Sequence, residues 1–426
     1  MEEHLYNLTA LGSKPGLERI GKLLISLGNP EANLKCVHVA GTNGKGSTSY
    51  IIANILQKAG YRVGRFTSPH IHSYRERFTI NGATISSTEL KSYLDKIEDL
   101  ISQEFRDDAA RPTEFEVLTA IAFRWFEDKE VDIVLLEVGM GGIYDSTNVV
   151  IPEVSVITSI GLDHTSFLGN NLAEIAYNKA GIIKRQIPIV VGDIPKEALE
   201  VIEKIALQND APIYMANKDI LEVRDEDLSG YNLDINWGED ILENTLFTLL
   251  GTYQLDNLAT ALTVINLLIK QGYKVSLDNI RNGLGSTKMP GRLEVVSQNP
   301  LVVLDVCHNE EGARAVSNAL LKLLPDKSRV MVCGIVDDKD AYSILKYLGQ
   351  NTSKCIITRP EGRRGYNWDR LLPVWEELYP DILVTCEEDI KLAVKYALSQ
   401  LNGKNYLLIC GSFYIIDQAR RLFTAT

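Results

Sequence analysis

Short apolar runs alternate along this chain with longer stretches in which apolar residues return every three or four positions, the pattern of buried strands followed by amphipathic helices. Cys36 to Ala40 predicts a strand, a glycine-rich turn follows, and a helix runs from about Ser47 to Ala59, where Gly60 ends it. Val63 to Phe66, Ile133 to Val138 and Val154 to Ile160 predict further buried strands, with a helix from about Glu114 to Lys129 ahead of the last two. Helical period returns over Leu172 to Ile183 and Lys196 to Gln208, with a short strand, Ile189 to Val191, between them. From about Ala211 to Gly251 the apolar pieces become short and poorly periodic, as in Leu246-Phe247-Thr248-Leu249, and predict an antiparallel appendage. A helix from about Asn257 to Lys270 comes next. The polar passage Gly283-Leu284-Gly285-Ser286-Thr287-Lys288-Met289-Pro290-Gly291 then reads as a linker. After it, Leu301-Val302-Val303-Leu304 restarts a strand–helix alternation that lasts to the C-terminus. The fold class is α/β, in two domains joined near residue 290.

Composition narrows the function. The chain has 426 residues, and at ~100–200 residues per domain two domains are expected. Hydrophobic residues make up 45% and charged residues 23%, which excludes a disordered chain, a collagen-like repeat and a small disulfide scaffold. Lys and Arg total 44 against 56 Asp and Glu, a formal charge of −12. That balance argues against a nucleic-acid partner, and an anionic substrate would have to be drawn in by local cations. The six cysteines form no C-x-x-C pair, and several sit in apolar runs, so free thiols in a reducing compartment are expected. Met1-Glu2-Glu3-His4 lacks the basic and apolar regions of a signal peptide. No stretch approaches the ~20 apolar residues of a membrane span. A cytoplasmic protein with no membrane partner is the expectation.

The strongest chemical signal is Gly41-Thr42-Asn43-Gly44-Lys45-Gly46-Ser47, set between a predicted strand and a predicted helix. Glycines let backbone N–H groups approach phosphate oxygens, and the helix offers its positive N-terminal end. Lys45 can reach the β- and γ-phosphates, and the Ser47 hydroxyl can hold Mg²⁺. The spacing departs from the general phosphate-loop pattern: Val39 replaces its first glycine, and Gly46 separates Lys45 from Ser47. A tight turn carrying an exposed lysine is the bland alternative. Ser68, Glu137 and His164 are oxygen and nitrogen donors at the ends of separate predicted strands, which in an open α/β sheet converge on one crevice. For Glu137 the alternative is a capping carboxylate, and for His164 a hydrogen-bonded core histidine. Lys179 lies within a helical stretch, where a lysine is ordinarily solvated, as is Lys184. Asp305 and Asn309 precede Gly312 and also suit helix capping.

Gly-Thr-Asn-Gly-Lys-Gly-Ser resembles the ATP loop of the Mur ligase superfamily, in the form typical of its folylpolyglutamate synthase and dihydrofolate synthase branch. Further segments resemble that branch in the right order. They include Thr67-Ser68-Pro69-His70, Thr113-Glu114-Phe115-Glu116, Leu136 to Gly142, Asp145-Ser146-Thr147-Asn148, Gly161-Leu162-Asp163-His164-Thr165, and Asn178 to Lys184. The second domain adds Pro290-Gly291-Arg292-Leu293-Glu294, Leu304-Asp305 with His308-Asn309, and Asp338-Lys339-Asp340. The resemblance spans residues from about 14 to 417.

The resemblance implies a P-loop-type parallel-sheet ATPase domain with a small antiparallel appendage over residues 1–288. It implies a linker at 289–292 and a smaller Rossmann-like domain at 293–426. It implies an ATP-dependent ligase that adds L-glutamate to a folate, or to dihydropteroate, through an acyl phosphate. Two Mg²⁺ ions are expected, one served by Ser47 and one by Ser68, Glu137 and His164, with Lys179 carboxylated to help position the metal. Asn257 is expected at the adenine, Arg292 at the phosphates and Asp305 with His308 near the ribose or adenine, so the second domain must close on the first before chemistry. Thr113, Glu114, Phe115, Glu116, Tyr144, Asp145 and Ser146 are expected to meet the acid substrate. A monomer is implied, and a monovalent cation is compatible with the family.

Ile143 stands where bifunctional bacterial members commonly have arginine, and the Tyr144-Asp145-Ser146-Thr147-Asn148 form looks more like enzymes that only extend folate. Cys307 and Tyr253 also depart from the usual Asp-Gly-Ala-His-Asn and His-Gln. A related amide ligase for a non-folate acid, and a nucleotide-binding module without ligase chemistry, are the other classes. The joint presence of Lys45, Ser68, Glu137, His164 and Lys179 weighs against the second.

Overall fold

A computed structural model describes residues 14–105 and 111–424; the N-terminal tetrapeptide read above lies outside them. Contacts divide the chain into two compact units. The first holds residues up to Leu221 with Ile235–Leu242 and Leu255–Thr287; the second holds Glu222–Asp234, Glu243–Gln254 and everything from Lys288 onward. Among the described residues no helix is long and apolar enough to cross a membrane.

The first unit is built on eight strands: β1 (Cys36–Ala40), β2 (Val63–Phe66), β3 (Phe78–Ile80), β4 (Ala83–Thr84), β5 (Ile133–Glu137), β6 (Val154–Ile157), β7 (Ile189–Val191) and β8 (Ile213–Met215). Their order is β4-β3-β2-β5-β1-β6-β7-β8. Strands β2, β5, β1, β6, β7 and β8 run parallel, and the β3–β4 hairpin adds an antiparallel edge. β1 and β5 are buried along their whole length, which is why both read as unbroken apolar runs. Pairing of β6 stops at Ile157 rather than Ile160, because the next residues leave the sheet to brace the glycine loop. Helix Lys45–Lys58 starts two residues before the predicted Ser47, and helix Leu172–Ala180 ends before Ile183.

Two expectations about connections are corrected. Ile213–Met215 extends the large sheet as β8 instead of joining the appendage. The appendage itself is β9 (Leu221–Asp227), β10 (Gly230–Trp237) and β11 (Asp240–Phe247) in the order β11-β10-β9; its short connections suit antiparallel neighbours. Gly283 to Gly285 are not linker but the last turn of helix Leu277–Gly285. A Cβ on Gly283 would stand 2.7 Å from the Ile55 side chain, so this glycine permits close helix packing rather than flexibility.

The second unit carries β12 (Glu294–Gln298), β13 (Leu301–Asp305), β14 (Ser328–Cys333), β15 (Thr352–Ile357), β16 (Val384–Cys386) and β17 (Asn405–Cys410) in the order β12-β13-β17-β14-β15-β16. Only β12 is antiparallel to its neighbour. Its core joins Leu301 and Val303 of β13 to Met331, Leu345, Trp375 and Leu408.

Candidate functional site

The glycine loop follows β1 and ends at Gly44, the residue before helix Lys45–Lys58. Gly41 (φ +154°) and Gly44 (φ +83°) both take backbone conformations unsuited to other residues. Added Cβ atoms would overlap Thr158 Oγ1 at Gly41 and Asn257 Oδ1 at Gly44. The segment after β6 straps the loop from the side. Thr42 N–H donates to the Ser159 carbonyl at 2.9 Å, Asn43 N–H donates to Ser159 Oγ at 2.9 Å, and Thr158 Oγ1 donates to the Asn43 carbonyl at 2.6 Å. Gly161 N–H closes the strap on Thr42 Oγ1 at 3.0 Å. The strap takes up the Thr42 and Asn43 amides and fixes the loop ahead of a helix N-terminus, the place in a fold where backbone amides bind phosphate.

Two lysines converge on it. Lys45 Nζ donates to the carbonyls of Gly41 (2.9 Å) and Thr42 (3.2 Å). Lys179 Nζ donates to the same Gly41 carbonyl at 3.0 Å. Lys179 is buried, not solvated. Burial first, and the neighbouring Lys45 second, push its amine down to about 7, with Asp163 and Asp145 opposing.

Glu137 ends β5 with 5% of its surface exposed. The Ser68 backbone N–H donates to Glu137 Oε2 at 3.3 Å, which puts the Ser68 main chain beside the carboxylate, and the alternative of Glu137 as a helix cap is not what the structure shows. Ser47 is buried in the first turn after the loop. Hydroxyl and carboxylate oxygens are hard donors suited to Mg²⁺ or Mn²⁺. His164 is different. It is 44% exposed on its side chain, adopts φ +49°, and has Asp163 Oδ2 3.9 Å from its Nε2. It is therefore no core histidine. Among the described residues no three His, Cys, Asp or Glu stand together as a metal centre. The expected set has only one carboxylate and one imidazole, and fits an ion that completes its shell with phosphate oxygens.

The expected acid-substrate residues divide. Thr113 and Glu116 form a capping box at the start of helix Glu114–Asp128, and Arg19 Nε pairs with Glu116 at 3.1 Å. Asp145 accepts from Met140 N–H (2.9 Å) and Thr147 N–H (3.0 Å), and burial raises its carboxyl. Ser146 Oγ shares a 2.7 Å hydrogen bond with Thr119. The polar atoms of these four have partners within the fold, in a capping box, a loop and a buried hydroxyl pair. Thr147 Oγ1 in turn meets His38 Nε2 at 2.8 Å, and burial holds that imidazole neutral, its pKa down at about 3. Glu114 faces Arg77 at 3.6 Å, Phe115 stacks at 5.7 Å on Phe66, and Tyr144 is exposed.

In the second unit Asp305 is buried at the end of β13 and accepts from Leu293 N–H and Cys307 N–H, both at 2.8 Å. Burial raises its carboxyl and Arg292 opposes the rise. Arg292 and His308 share the Phe413 ring, 5.6 Å and 5.9 Å from its centre. Asn309 caps helix Glu310–Leu323 through Gly312 N–H at 2.8 Å, the alternative weighed for it above; Asp305 does not.

The chain matches the models of the Mur ligase middle domain over residues 39–265 and the Mur ligase glutamate ligase domain over residues 291–413. It is 36% identical over 416 residues to the dihydrofolate synthase/folylpolyglutamate synthase of Bacillus subtilis, covering 96% of this chain and 95% of that one. The chain belongs to the folylpolyglutamate synthase/dihydrofolate synthase family of Mur ligases. Two solved members bear on its ligands. Mycobacterium tuberculosis folylpolyglutamate synthase complexed with ADP superposes with a TM-score of 0.91 at 31% identity, covering 99% of this chain and 97% of that one. The bifunctional synthase of Yersinia pestis, complexed with AMPPNP and a Mn ion, gives 0.83 at 31% identity over 98% and 96%. Within this family, Thr158, Ser159 and Arg19 are the residues of the present site that sequence reading missed. A polar pair directly after a buried strand was the available signal for the first two.

Proposed function

We propose that this chain ligates L-glutamate to the carboxylate of a reduced folate at the expense of ATP. The observation that carries the reading is the loop Gly41–Ser47, braced by Thr158 and Ser159, with Lys45 and Lys179 on one carbonyl and Glu137 at the end of β5. Loop amides and Lys45 bind and neutralise the phosphates while a substrate carboxylate oxygen attacks the γ-phosphorus and ADP leaves. The glutamate amine then adds to the acyl phosphate carbon, and the tetrahedral adduct expels phosphate. Two bound Mg²⁺ ions would supply charge neutralisation at the phosphoryl oxygens, one held by Ser47 and one by Ser68, Glu137 and His164. Asn257 is assigned to the adenine side, Arg292 to the phosphates, and Asp305 with His308 to the ribose or adenine. Phe115 and Tyr144 offer rings to the pterin acid.

Lys179 is assigned as a carboxylated lysine. An amine held near 7 is largely unprotonated at slightly alkaline pH. Its lone pair then attacks CO₂, the new N–C bond forms and a proton leaves, giving a carbamate. Incubation with ¹³C-bicarbonate is expected to give a carbamate carbon resonance in the wild type and none in Lys179→Met. All six cysteines are free and five are buried, which supports a reducing, cytoplasmic setting; a monomer is the oligomeric state inferred.

Mass spectrometry of products from MgATP, glutamate and either tetrahydrofolate or dihydropteroate tests the reaction. A one-glutamate adduct on tetrahydrofolate alone makes this a polyglutamate enzyme. An adduct on dihydropteroate adds dihydrofolate synthesis despite Ile143. No adduct in either tube, with ATP bound, rejects the folate assignment.

A further inference from the structure

Arg65 has no assigned role, yet it is 7% exposed inside the ATP-binding unit, and burying a guanidinium is costly unless something fixes and offsets it. It lies on β2 in register with Leu135 of β5. Glu137 is two residues further along β5, so both side chains leave the same face of the sheet. Val39, opposite Glu137 on β1, emerges there too. Helix Lys45–Lys58, which starts at the phosphate loop, supplies Tyr50 to this face, and the guanidinium carbon of Arg65 sits 3.3 Å from the centre of its ring. That is a closely seated cation–π contact. Arg65 Nε is buried without a hydrogen-bond partner. Burial lowers its pKa, and Tyr50 and Glu137 are the groups that offset the loss.

We propose that Arg65 is a positioning residue: clamped on Tyr50, it backs the Glu137 carboxylate with a fixed cation and keeps it aimed as a ligand for the divalent metal. The inference rests on the metal role given to Glu137 above. A free divalent ion would be repelled by Arg65, whereas with the nucleotide's phosphates in place the charge around the ion would be negative and the guanidinium would favour the loaded site. Residues that orient a metal ligand from behind typically contribute 10–100-fold to metal affinity.

The test is Mn²⁺ binding followed by electron paramagnetic resonance with a non-hydrolysable ATP analogue, on the Mn²⁺ signal that Glu137→Gln removes. Arg65→Met keeps the volume and loses the charge; Arg65→Lys keeps the charge. Affinity is expected to fall about tenfold in Arg65→Met and less than threefold in Arg65→Lys. Equal affinities in the two variants would overturn the proposal and make Arg65 a core filler. Should Arg65→Met fail to fold, Tyr50→Leu decides: a two- to fivefold loss supports the clamp, and wild-type affinity rejects it. A wild type with no Glu137-dependent Mn²⁺ signal would reject the metal role of Glu137 itself, and the role of Arg65 with it.

Discussion

One methyl group is enough to probe the phosphate loop. Gly44 sits at φ +83°, and a Cβ would overlap Asn257 Oδ1, so Gly44→Ala must shift either the loop or the residue beside it, at a strain of about 1–3 kcal/mol. We expect calorimetric affinity for an ATP analogue to drop at least tenfold, with a lower Tm. Lys179 gives a second prediction. Its folded pKa of about 7 lies below the ordinary 10.5, so the unfolded chain binds the extra proton between those values and stability rises with pH across them. The penalty is complete below pH 7 and gone above 10.5. In CO₂-free buffer Lys179→Met should therefore stabilise the protein by roughly 2–4 kcal/mol at pH 6–7, fading toward pH 10, while abolishing ligation. A gain independent of pH in denaturant titrations would show that the amine is not desolvated. The glycines and Lys45 were legible from sequence because their chemistry is local. Lys179 was named only through the family resemblance, because nothing in a helical stretch says which face is buried.

Elements, not residues, decide what the tetrapeptide Thr113-Glu114-Phe115-Glu116 does locally. Thr-x-x-Glu ahead of an apolar helix is itself a capping-box signature, and here the box forms. Its role is to hold Phe115 on the first turn, where the ring also closes against Gly139. Thr113→Ala should cost about 1 kcal/mol in stability. Because Phe115 rides on that turn, steady-state kinetics should show KM rising for the folate and little changed for ATP. The end of β6 behaves similarly. Its apolar run continues to Ile160, but Thr158 and Ser159 find partners on the loop rather than on β7, so the ladder stops early. Gly283 looked like a linker because glycine marks both a flexible turn and a close helix crossing, and only the neighbour Ile55 separates the two.

At the scale of the molecule, two units with separate apolar cores are expected to unfold in two calorimetric transitions. An ATP analogue at 100 times its Kd should add about 2.7 kcal/mol to the unit bearing the loop, and a tenfold affinity loss in Gly44→Ala should cut that increment to about 1.4 kcal/mol at the same ligand concentration. The amino-acid sequence alone determined the α/β class, the strands β1, β2 and β7, the phosphate loop and the family. Each of these is encoded over a few consecutive residues, by an apolar run, a glycine spacing or an ordered set of motifs. Only the tertiary structure decided that β8 joins the large sheet, that Asp145, Ser146, Thr113 and Glu116 find hydrogen-bond partners within the fold, that Lys179 is buried against Gly41, and that Arg65 shares a face with Glu137. Those facts depend on which polar atoms find partners across long stretches of chain, and burial and partnership are properties of the folded neighbourhood, not of the residue.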